Sequence, residues 1–281
     1  MNTSTSTNKL LTDKQFVRIS SIAFDKWGLS LGEKKVQLVS TRVSKYLRTS
    51  RFSGVDAYLD YIEQEATPAD LLELFDLLST NVTSFFREIE HFNYLEREFY
   101  TSLARGNTTR PGKRIRIWSA ACSTGPEPYS MAIQALECLP QLDKWDFKIL
   151  GTDLANSAVE KARSGIYPAA MLENMPKELL AKYFEPQGSG EDLAYRVNDR
   201  VRSLVTIGQL NLMDEWPFRG RFDVVFCRNV MIYFDKPTKD RLVNRICDVL
   251  QPGGVLAVGS AESAGNASQE LRTVQPSVYV K

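Results

Sequence analysis

The run RIRIWSAACSTGPEPYSM, from Arg114 to Met131, constrains this chain more than any other stretch. Ile115, Ile117 and Trp118 follow a Pro111-Gly112-Lys113 turn as a short apolar segment, the pattern of a strand buried on both faces of a parallel sheet. Small residues come next: Ser119, Ala120, Ala121, Ser123, Thr124 and Gly125. Pro126 and Pro128 then open a helical pattern that runs to Leu139. Proline fits a first helical turn because its missing N–H has no intrahelical partner there in any case. Strand, small-residue turn and helix make the first unit of a doubly wound α/β sheet, which takes its ligands at the carboxyl ends of the strands.

The turn is not built for a dinucleotide. The phosphate fingerprint G-x-G-x-x-G needs three glycines, and this turn has only Gly125. Glu127 would also repel a pyrophosphate lying on the helix N-terminus. A ligand without phosphates and with positive charge fits better, and S-adenosylmethionine, with its sulfonium and amino groups, is of that kind. The competing reading is a structural β–α turn of an unrelated α/β protein. A second strand, Phe147–Leu150, leads through Gly151-Thr152 into Asp153, 28 residues beyond Gly125. That is further than the roughly 20 residues usual for a ribose-binding acid, but at the right strand end. A carboxylate there can accept both ribose hydroxyls, or else it caps a helix over 155–164.

With 281 residues, 43% of them hydrophobic and 25% charged, the chain has the material for one large or two modest globular domains. Its net charge of +1 gives no bulk field for nucleic acid. No apolar run approaches the roughly 18 residues that span a bilayer, and a cytoplasmic setting is the expectation. The four cysteines, Cys122, Cys138, Cys227 and Cys247, form no C-x-x-C pair. Three sit in apolar patterns and read as buried thiols, and Cys122, in the key turn, reads as partly exposed. His91 is the single histidine, which makes a histidine zinc site, or a Ser-His-Asp triad built elsewhere in the chain, hard to assemble. No metal site is expected.

Taken in order, residues 1–11 read as a disordered tail and 12–80 as an all-helical subdomain. Thr12-x-x-Gln15 is a capping box, and Gly28 stops the helix it opens. A helix over about 33–48 carries Lys34, Lys35, Arg42, Lys45 and Arg48 on one face, with only Glu33 as a nearby acid. The face reads either as merely solvated or as a docking stripe for an acidic partner. Helices over about 55–66 and 68–79 follow, the second started by Thr67, Pro68 and Asp70. Residues 81–113 form a linking segment and helix, and 114–281 the α/β domain. Within that domain, 185–210 reads as an inserted hairpin, Leu193–Val197 against Val201–Ile207. Gln209–Leu212 and Arg228–Phe234 leave further strand ends, and Val255–Gly259 with Ser277–Val280 read as an antiparallel last pair.

N-V-T-S-F-F-R-E from Asn81, W-S-A-A-C-S-T-G-P-E-P-Y-S from Trp118, G-T-D at 151–153, N-L at 211–212 and F-C-R-N-V-M-I-Y-F from Phe226 stand in that order. Together they resemble the CheR family of chemoreceptor glutamate methyltransferases, over the whole chain from about residue 12. The resemblance implies a Rossmann-like S-adenosylmethionine-dependent methyltransferase domain with a helical N-terminal subdomain and a small β-hairpin insertion. It implies receptor glutamates as acceptors, with glutamyl methyl esters and S-adenosylhomocysteine as products. Carried over by motif, Asn81, Thr83 and Arg87 face the cofactor, Glu127 meets its methionine amino group and Asp153 its ribose. Asn211 and Leu212 flank the adenine, with Arg228 and Asn229 at the next strand end. Arg87 and Tyr233 face the reacting centre. The implied partner is the cytoplasmic helical bundle of a chemoreceptor, docked by a monomer on Lys35, Arg42, Lys45 and Arg48; in some members the insertion also takes a receptor C-terminal peptide. Two departures stand out. Pro126 replaces the first of two usual acids, and Gly259-Ser260-Ala261-Glu262-Ser263 replaces the common G-H-S-E-N. The alternatives are an adaptor that keeps the fold without transferring methyl groups and, disfavoured by the missing glycines, a nicotinamide-dependent dehydrogenase.

Overall fold

The computed structural model describes residues 11–106, 113–265 and 267–281; the expected tail, save Leu11, and most of the 105–113 connection lie outside them. Two compact units emerge, Met1–Thr80 with Tyr233–Asp235, and Asn81–Ile232 with Lys236–Lys281.

The first unit is helical. Helix α1 (Asp13–Trp27) starts at the Thr12–Gln15 capping box and ends at Gly28, whose φ of 69° lies in the left-handed region. A 3₁₀ turn over Glu33–Lys35 leads into α2 (Val36–Leu47), followed by α3 (Val55–Gln64) and α4 (Pro68–Leu78), the last opened by a Thr67–Asp70 capping box. Ile19, Ala23, Val43, Leu59 and Leu74 are fully buried and form its core. The basic stripe is not uniform. Arg42 Nη1 donates to the Leu77 carbonyl at 3.1 Å and to the Ser79 carbonyl, so this guanidinium closes the C-terminus of α4. The ammonium of Lys35 stands 4.1 Å from the ring centroid of Tyr233, and burial lowers its pKa. Lys45 and Arg48 are exposed.

The second unit opens with one continuous helical rod, α5 (Ile89–Tyr94), a π-helical stretch over Leu95–Tyr100, and α6 (Thr101–Ala104). The β–α alternation then runs as the sequence suggests: β1 (Arg114–Ala120), α7 (Pro126–Cys138), β2 (Asp146–Asp153) and α8 (Asn156–Ser164). After them come β3 (Ile166–Pro168), α9 (Lys177–Tyr183), β4 (Phe184–Gln187), β5 (Ala194–Val197), α10 (Asp199–Arg202) and β6 (Val205–Gln209). The chain closes with β7 (Phe222–Cys227), α11 (Lys236–Val249), β8 (Leu250–Val258), β9 (Arg272–Gln275) and β10 (Val278–Val280).

The main sheet has the order β6-β2-β1-β7-β8-β10-β9, parallel except for β10 and β9. Its strand order reverses between β1 and β7, which opens the crevice of a doubly wound sheet above their carboxyl ends. Every residue of β7 is buried. Trp118 on β1 is buried too; its indole N–H donates to Thr152 Oγ1 at 2.9 Å while its rings meet Trp216, Phe218 and Phe222.

The insertion differs from a simple hairpin. β3, β5 and β4 form a separate three-stranded antiparallel sheet, whereas Val205–Gln209 joins the main sheet as the edge strand beside β2. Asn198 decides this: its side chain accepts from Val201 N at 3.1 Å and starts a helical turn where a hairpin would need a reversal. Cys122 also departs from expectation. It is buried, while Cys138 is half-buried, and burial together with Asp153 and Glu127 holds the Cys122 thiol well above its usual pKa.

Candidate active site

Backbone strain marks the site independently of any motif. Of seven non-glycine residues with positive φ among the described residues, four lie at or beside the carboxyl ends of β1 and β7, Glu88, Ala121, Ser123 and Asn229, and a fifth, Phe86, stands two residues before Glu88. Each such residue costs on the order of 1–3 kcal/mol unless its surroundings dictate the conformation, and clusters of them favour functional sites.

The turn after β1 is held from several sides. Cys122 N donates to the Thr152 carbonyl at 2.8 Å, and Ser123 N to Asp153 Oδ2 at 2.7 Å. The other Asp153 oxygen accepts from Ala155 N at 2.9 Å, just ahead of α8, whose N-cap Ala155 has no side-chain capping bond, so this acid braces the turn and does not cap the helix. Asp153 pairs in register with Gln209, and Leu210 N donates to its carbonyl at 3.0 Å, which brings Asn211 and Leu212 to the same edge. Asn211 closes a tight turn on Met213 N at 3.0 Å, and Leu212 is buried.

Beneath the crevice lies a buried ion network. The Arg228 side chain, 1% exposed, places Nη1 3.0 Å from Glu127 Oε2 and Nη2 3.1 Å from Glu88 Oε2. Nη2 also donates to the carbonyl of Arg87. Ser119 Oγ donates to Glu127 Oε1 at 2.7 Å. Asn229 Nδ2 and Ser260 N each donate to Glu88 at 3.0 Å. Those donors and Arg228 outweigh the cost of burial and hold the Glu88 carboxyl down at about 2. At Glu127 the balance falls the other way: burial pushes the carboxyl up against the pull of Arg228. Two carboxylates, Glu88 and Glu127, thus meet one guanidinium, while Asp153 faces the turn after β1 through Ser123 N.

Most sequence-derived candidates therefore gather on one edge of the second unit: Glu127, Asp153, Asn211, Leu212, Arg228 and Asn229. Arg87 joins them through its backbone, and its guanidinium donates to the Val82 carbonyl at 2.9 Å, folding the 82–87 segment on itself. Asn81 and Thr83 lie on that segment outside regular secondary structure. Tyr233 groups with the first unit, where its carbonyl accepts from Ser30 N at 2.7 Å.

The sequence does not single out Glu88, Ser119 or Glu262. Glu262 accepts from the backbone N–H groups of Asn229 (2.8 Å), Ile232 (3.0 Å) and Gly259 (2.7 Å), and so fixes the loop after β7. The acid is retained within the divergent Gly259–Ser263 stretch, and that was the available signal. Ser260, where the common motif has histidine, donates to Glu88 from its N–H and its hydroxyl.

His91 is buried beside this network. Burial and the Arg228 charge depress its pKa to about 4, so it is neutral in the folded protein. Its folded value lies below the unfolded 6.5, so stability is intact above pH 6.5 and declines as pH falls toward 4. The loss from this group alone should reach about 3 kcal/mol. Glu88 adds its own loss only below its unfolded 4.5. Urea unfolding at pH 7, 6 and 5 should thus show a declining midpoint that His91→Phe flattens; equal slopes in both proteins would remove His91 as the cause.

A methyl donor of the sulfonium type suits these residues. Ser123 Oγ and Thr124 Oγ1 are buried in the turn without a hydrogen-bond partner, polar atoms that a bound ligand can satisfy. The excess of carboxylates suits a cationic, phosphate-free group.

Comparison with known proteins agrees with this geometry. Residues 14–79 match the description "CheR methyltransferase, all-alpha domain", and residues 81–280 match "CheR methyltransferase, SAM binding domain". A probable chemotaxis protein methyltransferase of Rhizobium etli is 40% identical over 87% of this chain and 90% of its own length. Chemotaxis protein methyltransferase 2 of Pseudomonas aeruginosa is 39% identical over 95% and 93%, and the Escherichia coli chemotaxis protein methyltransferase 32% identical over 96% and 91%.

Proposed function

The chain belongs to the CheR methyltransferase family, and we propose that it methylates glutamate side chains of bacterial chemoreceptors in chemotactic adaptation, as a protein-glutamate O-methyltransferase. The observation that carries the reading is the crevice at the β1/β7 switch point, where Glu127 and Glu88 share the single Arg228 guanidinium and Asp153 holds the turn after β1. When bound, S-adenosylmethionine supplies an electrophilic methyl group on a sulfonium. Asp153 would accept its ribose hydroxyls, Glu127 its amino group, and Asn211 and Leu212 would flank its adenine. Asn81, Thr83 and Asn229 complete the cofactor set. Arg87 would fix one oxygen of the acceptor carboxylate, with Tyr233 orienting acceptor or cofactor through its hydroxyl. A non-catalytic adaptor is not favoured, since the relatives bear methyltransferase names. Among the described residues no helix is long and apolar enough to cross a membrane. The setting proposed is cytoplasmic, where the receptor bundle presents its glutamates.

The test is incubation with methyl-labelled donor and receptor-bearing membranes. Esters release their label as methanol in mild alkali, so base-labile label on the receptor band supports the reading. Label that survives alkali, or none, contradicts it.

The docking stripe is narrower than the sequence suggests. Arg42 closes α4, so reversing it would disturb the fold, and of the four docking residues Lys45 and Arg48 remain as the exposed charges for an acidic bundle. Reversing both to glutamate should slow receptor methylation about tenfold at low receptor concentration and low salt. Affinity for S-adenosylhomocysteine should stay unchanged. The wild-type rate should fall as salt rises, since steering is screened beyond about 8 Å at physiological ionic strength. A rate indifferent to reversal and to salt would make this a solvated face only.

A further inference from the structure

Tyr167 lies on β3 of the small sheet, outside every motif that marks the site, and it is 2% exposed. Its hydroxyl donates to the Thr124 carbonyl at 2.8 Å, inside the turn after β1. A Cβ on Gly125 would stand 2.9 Å from that same hydroxyl oxygen and 2.9 Å from Ala162 Cβ. The glycine retained in the turn therefore does two things: it supplies a φ of 96°, and it makes room for a tyrosine of this chain. Ala121, Ser123 and Gly125 all have positive φ, so the turn holds its shape only through bonds from its neighbours. Tyr167 supplies one of those bonds from the small sheet.

The ring of Tyr167 reaches the other half of the site. Phe85 stands edge-on to it with centroids 5.0 Å apart, and Phe85 also meets Phe184 of β4 at 5.3 Å. Phe85 belongs to the segment that carries Asn81, Thr83 and Arg87, whose next residue, Phe86, donates its N–H to Ser130 Oγ on α7 at 2.9 Å. One buried ring thus touches both the strained turn and the Arg87 segment.

We propose that Tyr167 is a positioning residue for cofactor binding, through which the small sheet holds the turn and the 81–88 segment in mutual register. This rests on the reading of the crevice as the S-adenosylmethionine site. Tyr167 acts through Thr124 and Phe85 and does not meet the reacting atoms.

The test is calorimetric titration of S-adenosylhomocysteine into the full chain, comparing wild type, Tyr167→Phe and Tyr183→Phe. Tyr183 is an apt control: a buried tyrosine beside the same sheet, whose hydroxyl donates to Glu137 at 2.5 Å, near the far end of α7. Each variant loses one hydroxyl and keeps its ring. Tyr167→Phe should raise Kd by about three- to tenfold, and Tyr183→Phe should stay within about twofold of wild type. In methylation assays the Tyr167→Phe loss should sit in KM for the methyl donor, with kcat recovered at saturation. Wild-type affinity in Tyr167→Phe, or an equal loss in both variants, overturns the proposal while leaving the site reading intact. A wild type that binds no S-adenosylhomocysteine overturns both.

Discussion

Replacing Arg87 with alanine should lower turnover at least about a hundredfold, roughly 2.7 kcal/mol of barrier, with a smaller loss in affinity for S-adenosylhomocysteine. The reason lies in how charge moves. A carboxylate attacks a methyl group on a sulfonium, so opposite charges cancel along the path and a neutral ester and thioether remain. A cation clamped on both carboxylate oxygens would stabilise the starting state and slow the reaction. Arg87 is suited to the milder task of fixing one oxygen while the other faces the methyl group, and alignment of that kind can supply several kcal/mol. Its backbone is set for this, because Arg228 holds the Arg87 carbonyl and the Arg87 guanidinium rests on Val82. Single-turnover rates at saturating donor, set beside calorimetric affinities, separate the two effects. A rate within a few-fold of wild type would remove Arg87 from the reacting centre.

Replacing Arg228 with methionine should cost about 3–5 kcal/mol of stability, because it leaves buried carboxylates without their counter-charge. Glu127 is already pushed up by burial while Arg228 is present, and Glu88 is held at about 2 with its help. Both should take up protons in the variant, so the deficit should shrink as pH is lowered from 7 to 5. Adding Glu88→Gln in the same background should recover part of the loss, a coupling that a double-mutant cycle of urea midpoints measures. A cost under about 1 kcal/mol would mean that the network is solvated and not a buried unit.

How much of this was readable in the sequence follows from what each signal depends on. The β1–turn–α7 unit was readable because burial on both faces, small turn residues and proline at the helix start all point one way. The capping boxes at Thr12 and Thr67 were readable because they are local. The insertion was misread at Val201–Ile207, where a β-like run of apolar residues fits two sheets equally. Only the helical turn started by Asn198 assigns it to the main sheet, and a partner strand far away in sequence decides the outcome. The charges at the site followed the same rule. Asp153 and Glu127 stand at fixed offsets from a strand and a turn, so sequence placed them. Glu88 and Tyr167 act across long separations in the chain, and spacing carries no trace of that. The helix over about 33–48 was readable, but its basic face was not uniform: Lys34 and Lys35 fall on the 3₁₀ turn before α2. That Arg42 turns inward depends on α4 ending beside it.

The central claim is direct methylation of a carboxylate without a general base. An acceptor glutamate with a pKa near 4.3 is already ionised at neutral pH. The single histidine, His91, is buried and depressed to about 4, so it does not titrate in the neutral range. Single-turnover methylation, with receptor and methyl donor both saturating, tests this most directly. The rate should vary by no more than about twofold between about pH 6.5 and 8.5. A steep rise centred near pH 7 would contradict the account, because it would require an essential base that titrates there.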